Sequence, residues 1–528
     1  LSKLWGLYVN EMYKLIKKPL VIILIVLIFT SGLLFPALIK FAISFDSEPY
    51  IEDKNTIETQ LQYYKDEKTK LSSELLAAID NQDDEYYIED LKMQIDELET
   101  YIFQSELFLE LQLFDEPEHV MHDSFIPRAL SSLNSLNTDI INLNKVPEEE
   151  RDDNWAAELD QAGKGYAQLY DSIKNKDFTT YNNYQIEAIS AFKSILSSYD
   201  AEIHEFSLKL LPVIDPTGGL NGEIDFEAAN LVADYASLLK YELDNNVNIK
   251  YDMIYGDQSI VLLSEEQRLE KQEEYDILMY KIENKQVATS LPKDSTLISS
   301  LSVEFSNFFL SILIFFAAGS IVANEMTTGS IKTLIIAPVR RWKIFTSKFL
   351  TLLTLFLVAS LVLHVATSLG NNIFFDAKHT AYLFVSDGKV VSIPGIFFGY
   401  FYLLADHTLL FVLMLLAFML STVSRHSAVG IAIPFALMMV TSWASMMLSS
   451  LPIAKARWMD FLYFYNTDLA DRLFPMHKFF DLVTYIRISQ NIPQNNLPSL
   501  SFSVLFVLVL CVCLFYIAFD SFTRRDIK

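Results

Sequence analysis

The chain has 528 residues, 51% of them hydrophobic, with 39 Phe and 26 Tyr against 15 Gly, yet it carries a formal net charge of −25 and a mean hydropathy of +0.25. An acidic soluble domain does not average to positive hydropathy, so charge and apolar residues must occupy different stretches. Between residues 46 and 294 there are roughly 54 acidic and 20 basic side chains, which leaves the rest of the chain net positive by about 9. One acidic module is therefore set into a basic, apolar frame, and its acidity argues against nucleic acid as a partner. The two cysteines, Cys511 and Cys513, share one apolar run near the C-terminus, so no disulfide framework staples the acidic module.

In chain order, residues 4–17 form an amphipathic stretch, with Trp5, Leu7, Tyr8, Glu11 and Lys14 ahead of Lys17-Lys18-Pro19. The apolar run that follows is too long for the core of a signal peptide and lacks a small-residue cleavage site, so it reads as a retained anchor. About six windows reach the roughly 20 apolar residues that a helix needs to cross a bilayer: about 20–39, 305–323, 345–369, 396–420, 429–448 and 502–519. The Lys and Arg residues of the short connections then fall on one side. Lys3, Lys14, Lys17 and Lys18 precede the first span, Lys332, Arg340, Arg341, Lys343 and Lys348 lie around the second connection, Arg425 lies between spans four and five, and Arg524, Arg525 and Lys528 follow the sixth. By the positive-inside rule both termini are cytoplasmic, and the acidic module, the 371–394 loop and the 451–500 segment are outside.

Within the module, apolar residues recur at three and four from Ile57 to Ile79 and again from Tyr87 to Leu111, separated by Asn81-Gln82-Asp83-Asp84. This spacing predicts a hairpin of two long amphipathic helices with coiled-coil character. Further helical patterns cover 184–211, 226–243 and 264–283, while 146–154 and 212–222 read as loops, and no run alternates convincingly as a strand. The module has few histidines, His119, His122 and His204, and neither an Asp-x-Asp-x-Asp-Gly calcium loop nor metal-ligand spacing. Its excess of roughly 34 negative charges would attract cationic peptides over about 8–10 Å.

The most informative stretch runs from Ala323 through Asn324-Glu325-Met326-Thr327-Thr328-Gly329-Ser330 to Pro338-Val339-Arg340-Arg341-Trp342-Lys343 and Lys348. Thr327 or Thr328 can cap a short helix, Ile331, Leu334 and Ile335 give it an apolar stripe, and Pro338 ends it before a basic return into the membrane. The bland alternative is an interfacial helix that only closes a turn. This order of an acid, Thr-Gly-Ser, apolar residues, Pro-Val-Arg-Arg and a Lys in the next helix resembles the membrane subunit of ABC-2-type ABC transporters, and the amphipathic N-terminal stretch resembles that family's connecting helix. The resemblance covers about the first 40 residues and everything after about residue 301; the outer module departs from the family's simpler members.

That resemblance implies that Glu325, just before the 326–342 loop, and Thr328, Gly329, Ile331, Leu334, Pro338, Arg340 and Arg341 within it form a coupling element docking on a cytoplasmic ATPase dimer. Glu325 would sit at the membrane boundary, in reach of Arg340 or Lys343. The chain has no Gly-x-x-x-x-Gly-Lys-Ser/Thr loop; Gly163-Lys164-Gly165 and Gly388-Lys389 lack the spacing and the hydroxyl. ATP and Mg would accordingly bind in the partner, with no catalytic residue, metal or cofactor in this chain. A second copy or a related permease would complete the membrane dimer.

Titratable groups within spans default to functional hypotheses. His364 lies about 27 Å up span three, and Asp406 with His407 about 20 Å up span four, all in the outer half. They are candidates for an exit path or a proton-sensitive site, or for a structural pair of Asp406 with a histidine; Cys511 and Cys513 are packing residues. The aromatics of 452–498 suit the membrane interface, and in the resembled family this connection folds into re-entrant helices.

The expectation is an all-α polytopic membrane protein with about six transmembrane helices. Residues 1–44 hold the connecting helix and first span, 45–300 a helical extracellular domain, and 301–528 a five-helix transmembrane domain. The resemblance implies the permease subunit of an ATP-driven exporter in a bacterial cell membrane. It would be surrounded by membrane lipids and move an amphipathic, lipid-like or cationic peptide substrate. A non-transporting membrane scaffold or receptor is the alternative, and an intramembrane enzyme built on Asp406 and His407 lacks a second catalytic carboxylate or metal set.

Overall fold

The computed structural model describes residues 2–46, 53–82, 84–192, 198–222, 224–251, 258–287, 295–328, 339–375, 381–449, 460–467, 469–475 and 498–524. The chain divides into two compact units, residues 1–46 with 294–528, and residues 47–293.

Helix α1 (Ser2–Ile16) buries Glu11 and Leu15 and exposes Trp5, Val9, Tyr13 and Ile16, the two-sided pattern of a helix lying along an interface. Pro19 opens α2 (Pro19–Asp46), where its missing N–H costs nothing.

The second unit begins with α3 (Lys54–Asp80) and α4 (Glu85–Glu110), capped at its start by Asp53, whose carboxylate accepts from Thr56 N at 2.7 Å. The two run antiparallel, as Lys65–Glu106, Lys68–Glu99 and Tyr87–Glu74 contacts show, around a seam of Leu71, Ala78 and Leu91. A compact bundle follows: α5 (Glu118–His122), α6 (Ile126–Lys145), α7 (Trp155–Lys174), α8 (Phe178–Phe192), α9 (Ser198–Ile214), α10 (Phe226–Asn245) and α11 (Glu265–Glu283). Periodicity alone did not mark α6 and α7. Their turn is closed by Trp155, which donates to Leu143 O at 2.8 Å beneath the Arg151 guanidinium. The core is aromatic, with Phe125, Phe178, Tyr181 and Phe226 packed ring on ring, Phe125 and Tyr181 at 5.0 Å.

Two strands correct the expectation of a strand-free module. β1 (Val247–Tyr251) pairs antiparallel with β2 (Gln258–Leu262). The run Val-Asn-Ile-Lys-Tyr does alternate, but over too few residues to stand out from the helices around it.

The first unit resumes with α12 (Ser295–Ser320), α13 (Ala323–Thr327) and α14 (Arg341–Phe375). A second hairpin lies where sequence reads as a loop: β3 (Tyr382–Ser386) and β4 (Lys389–Ile393) turn through Asp387 and Gly388, both at positive φ. Asp-Gly between apolar runs is the signal for such a turn. Next come α15 (Gly395–Asp406), α16 (Thr408–Ser424), α17 (Ser427–Ser449), α18 (Phe464–Thr467), α19 (Ala470–Leu473) and α20 (Leu500–Arg524). Tyr382 stacks on Phe398 at 3.8 Å, which fastens the second hairpin to α15.

Among the described residues four helical stretches are long and apolar enough to cross a membrane, Pro19–Ala42, Ser302–Thr327, Arg341–Phe375 and Leu500–Arg524. A fifth arises if α15 and α16, bent by 49°, count as one broken span, and 427–441 is a shorter apolar helix. The fold is thus an all-α polytopic membrane protein with a large helical domain between spans, carrying two small hairpins. Helices α12 and α17 cross so closely that a Cβ on Gly319 would stand 2.7 Å from the Gly430 carbonyl carbon. Most of the 450–500 segment lies outside the described residues.

Gly219, at φ +82, brings its backbone against Asp123, where a Cβ would meet the carbonyl oxygen at 2.0 Å. Gly219→Ala should therefore cost about 2 kcal/mol or more, and scanning calorimetry of the detergent-solubilised chain should show the transition of the second unit about 4 °C or more lower.

Candidate functional site

Where α1 passes the end of α12 and the start of α14, four ionised side chains close into a ring. Lys348, with no solvent exposure, places its Nζ 2.7 Å from Glu11 Oε2 and 2.7 Å from Glu325 Oε2, and donates to the Ile321 carbonyl at 3.3 Å. Lys14 closes the other side, with its Nζ 2.9 Å from Glu11 Oε1 and 3.1 Å from Glu325 Oε1. Two carboxylates meet two ammonium groups, so the cluster is neutral. That neutrality is what makes burial tolerable, since an isolated charge here would cost several kcal/mol.

The fold supplies the positions. Glu11 and Tyr8 lie on the inward face of α1, and Tyr8 reaches Thr354 on α14 at 3.0 Å between hydroxyls. Residues 321–322 break the helix after α12, and the Ala323 N–H released there donates to Ser421 Oγ on α16 at 3.0 Å. The break turns Glu325 toward the ring. Lys18 donates to Ser320 Oγ at 3.1 Å, so α1, α12, α14 and α16 are joined by polar contacts at one end of the membrane unit.

A second polar group lies deeper. His407, buried at the bend between α15 and α16, holds Ser360 Oγ at Nδ1 (3.1 Å) and Asn307 Oδ1 at Nε2 (2.8 Å). Both ring nitrogens are engaged on α14 and α12, so the ring serves those helices, while Asp406 is exposed at the end of α15. His364 Nε2 donates to the Ile396 carbonyl at 2.8 Å, tying α14 to α15. The three intramembrane candidates therefore do not form one site. Among the described residues no group of three or more His, Cys, Asp or Glu could hold a metal ion.

A family model described as ABC-2 family transporter protein matches residues 5–527, which is nearly the whole chain. The chain belongs to the ABC-2 transporter family. Two Bacillus subtilis (strain 168) proteins are similar to this permease in part. "Uncharacterized protein YhcI" is 27% identical over 214 residues, 40% of this chain and 62% of its own length. "Uncharacterized membrane protein YdbK" is 29% identical over 186 residues, 35% of this chain and 70% of its own. The chain thus spans less than two thirds of the first relative. No solved structure matches.

In the permease, the residues expected to couple to an ATPase divide. Gly329, Ile331, Leu334 and Pro338 lie outside the described residues. Thr328 ends α13 as its C-cap, with its hydroxyl donating back to Asn324 O at 2.8 Å, while the helix that sequence suggests it opens lies outside the described residues. Arg340 is exposed, and Arg341 donates to the Thr523 carbonyl at the end of α20 at 3.2 Å. Glu325 finds Lys14 and Lys348, where sequence spacing points to Arg340 or Lys343. The correction has a simple reason: the helix break before Ala323 swings the carboxylate toward α1. Sequence reasoning passed over Glu11, Lys14 and Lys348 as site residues. An acid on the inward stripe of a membrane-surface helix was the available signal.

Burial pushes the Glu11 carboxyl up, but Lys348 and then Lys14 outweigh it and hold it below the usual 4.5. Burial lowers Lys14, and Glu11 and Glu325 outweigh that to hold it above 10.5. Lys18 is pushed down, by burial first and Lys348 second. A depressed carboxyl contributes stability above its unfolded value and loses it as pH falls through the folded one; a raised ammonium contributes below its unfolded value and loses it as pH rises through the folded one. Hydrogen exchange in α1 should therefore be protected throughout the window between those two usual values and lose protection on either side. Lys348→Met, which leaves the buried Glu11 and the partly buried Glu325 with Lys14 as their shared ammonium, should cost about 3 kcal/mol in calorimetry of the full chain.

Proposed function

We propose that this permease works as the membrane subunit of an ATP-driven exporter, taking its energy from a separate cytoplasmic ATPase dimer through the segment 326–342. The observation that supports this reading most is the buried ring. It binds α1 and α14 to Glu325, four residues before the segment at 329–338 where the partner would dock. A displacement of that segment would move three helices together, because separating the ring would leave the buried Lys348 and Glu11 without their full complement of partners.

In this reading the chain crosses the membrane six times, with 427–441 and its continuation as a span, both termini in the cytoplasm and the acidic unit outside. The basic residues Lys14, Arg340, Lys343 and Arg524 then face the cytoplasm. Two permease subunits, identical or related, form the path. The substrate is amphipathic, lipid-like or a cationic peptide, drawn by the acidic outer unit, and the setting is a bacterial cell membrane, a reading supported by the Bacillus subtilis relative named as a membrane protein.

The test is affinity purification of the chain in mild detergent with its bound ATPase, comparing Arg340→Glu, an exposed position, with the unaltered chain. ATP turnover of the recovered complex should fall about fivefold or more, the scale of a coupling free energy between two sites. Recovery of the chain with no ATPase under several detergents would instead favour the non-transporting scaffold.

A further inference from the structure

Away from the ion ring, α14, α16 and α20 enclose a groove of about 510 Å³ whose lining is apolar throughout. Phe349 comes from α14, Phe411 and Leu415 from α16, and Cys511, Phe515 and Phe519 from α20, with the Phe349 and Phe515 rings edge-on at 4.9 Å. All three helices belong to stretches apolar enough to cross a membrane.

Its depth matches one leaflet. Arg341 at the start of α14 bonds to Thr523 at the end of α20, so those two helix ends mark one rim of the membrane unit. By the helical rise, Phe519 lies about 8 Å and Cys511 about 20 Å from Arg524, a span comparable to the roughly 15 Å of a single leaflet's hydrocarbon. The rim is basic among the described residues. Arg340, Arg341 and Lys343 at the start of α14 and Arg524 at the end of α20 stand against one acid, Asp520, which Arg524 holds at 2.8 Å. Trp342 is exposed at the same level, where indole rings settle among headgroups. The first N–H groups of α14 add a partial positive charge at that rim.

We infer that this groove seats one acyl chain of an anionic phospholipid, from the leaflet on the side of the termini, with its phosphate held by the basic rim around Lys343 and Arg524. An apolar slot alone takes any lipid tail; the rim selects the headgroup. Bound lipid would fasten α20 to α14 and α16, the helices that meet the ion ring's support. The inference rests on the membrane-spanning reading and not on coupling to an ATPase, and its test uses the chain alone, so each can fail without the other.

The experiment takes the full chain carrying Cys513→Ser, reconstituted in vesicles of equal phosphatidylglycerol and phosphatidylcholine, re-extracted in mild detergent and examined by native mass spectrometry. Phosphatidylglycerol should be retained over phosphatidylcholine by about fivefold or more, the factor that one basic residue near the membrane surface supplies. Lys343→Gln with Arg524→Gln should bring that ratio close to one and quicken the reaction of Cys511 with a small lipid-soluble maleimide. Val512→Trp, which fills the groove, should remove the retained lipid, whereas Leu361→Trp, exposed on α14 outside the groove, should not. Equal retention of both headgroups by the unaltered chain would reduce the groove to ordinary surrounding lipid and overturn the inference. Unchanged phosphatidylglycerol retention in Val512→Trp would overturn it too, as would Cys511 crosslinks between copies without retained lipid, which would make the groove an interface between two chains.

Discussion

A lysine with no solvent exposure at the edge of a membrane domain has to be neutralised, and Lys348 is neutralised by carboxylates from two distant parts of the chain. Removing one ammonium from water costs several kcal/mol, which Glu11 and Glu325 together offset. From that requirement the local architecture follows. Helix α1 must lie against α14 with its Glu11 stripe inward, α12 must break at residues 321–322 to aim Glu325, and Lys14 must fold back to balance the second carboxylate. Pairing of this kind is directional, unlike the apolar packing elsewhere in the domain, and so it fixes register between helices that hydrocarbon contacts alone leave free to slide.

The location of the ring gives it functional weight. Its Glu325 corner precedes the 329–338 segment proposed to meet an ATPase, and its Lys348 corner follows that segment in α14. Deeper in the domain, His407 performs a similar joining role for α12, α14 and the bent α15–α16 pair through neutral hydrogen bonds. A rigid charged clamp at one end and a polar pin at a bend in the middle are the parts from which a rocking motion of helices can be built.

Much of this was legible in sequence. The segregation of acidic and apolar residues separates the acidic module from the membrane helices, and the three-four spacing of Leu71, Leu75, Leu91, Ile95 and Leu98 marks the α3–α4 hairpin because local periodicity reports directly on a buried seam. Residues 323–341 identify the permease through a motif. The ring itself was not legible. Glu11 and Lys348 are 337 positions apart, and Lys14 and Glu325 are 311 apart, so no local pattern encodes their meeting. Adjacency misled in the other direction: Arg340 and Lys343 are near Glu325 in sequence, but a two-residue break in a helix redirects the carboxylate. The short hairpin at Asp387-Gly388 was missed although its turn carries a recognisable signal, because two five-residue strands are too brief to register beside long helices.

The measurement that bears most directly on the ring is a double-mutant cycle on Glu11→Gln and Lys348→Met in the full chain, read by calorimetry. If the two side chains stabilise the domain as a pair, the double variant recovers part of what Lys348→Met loses, with an interaction free energy of about 2 kcal/mol or more. If the two losses simply add, Glu11 and Lys348 act independently, and the clamp joining α1 to α14 does not exist as described.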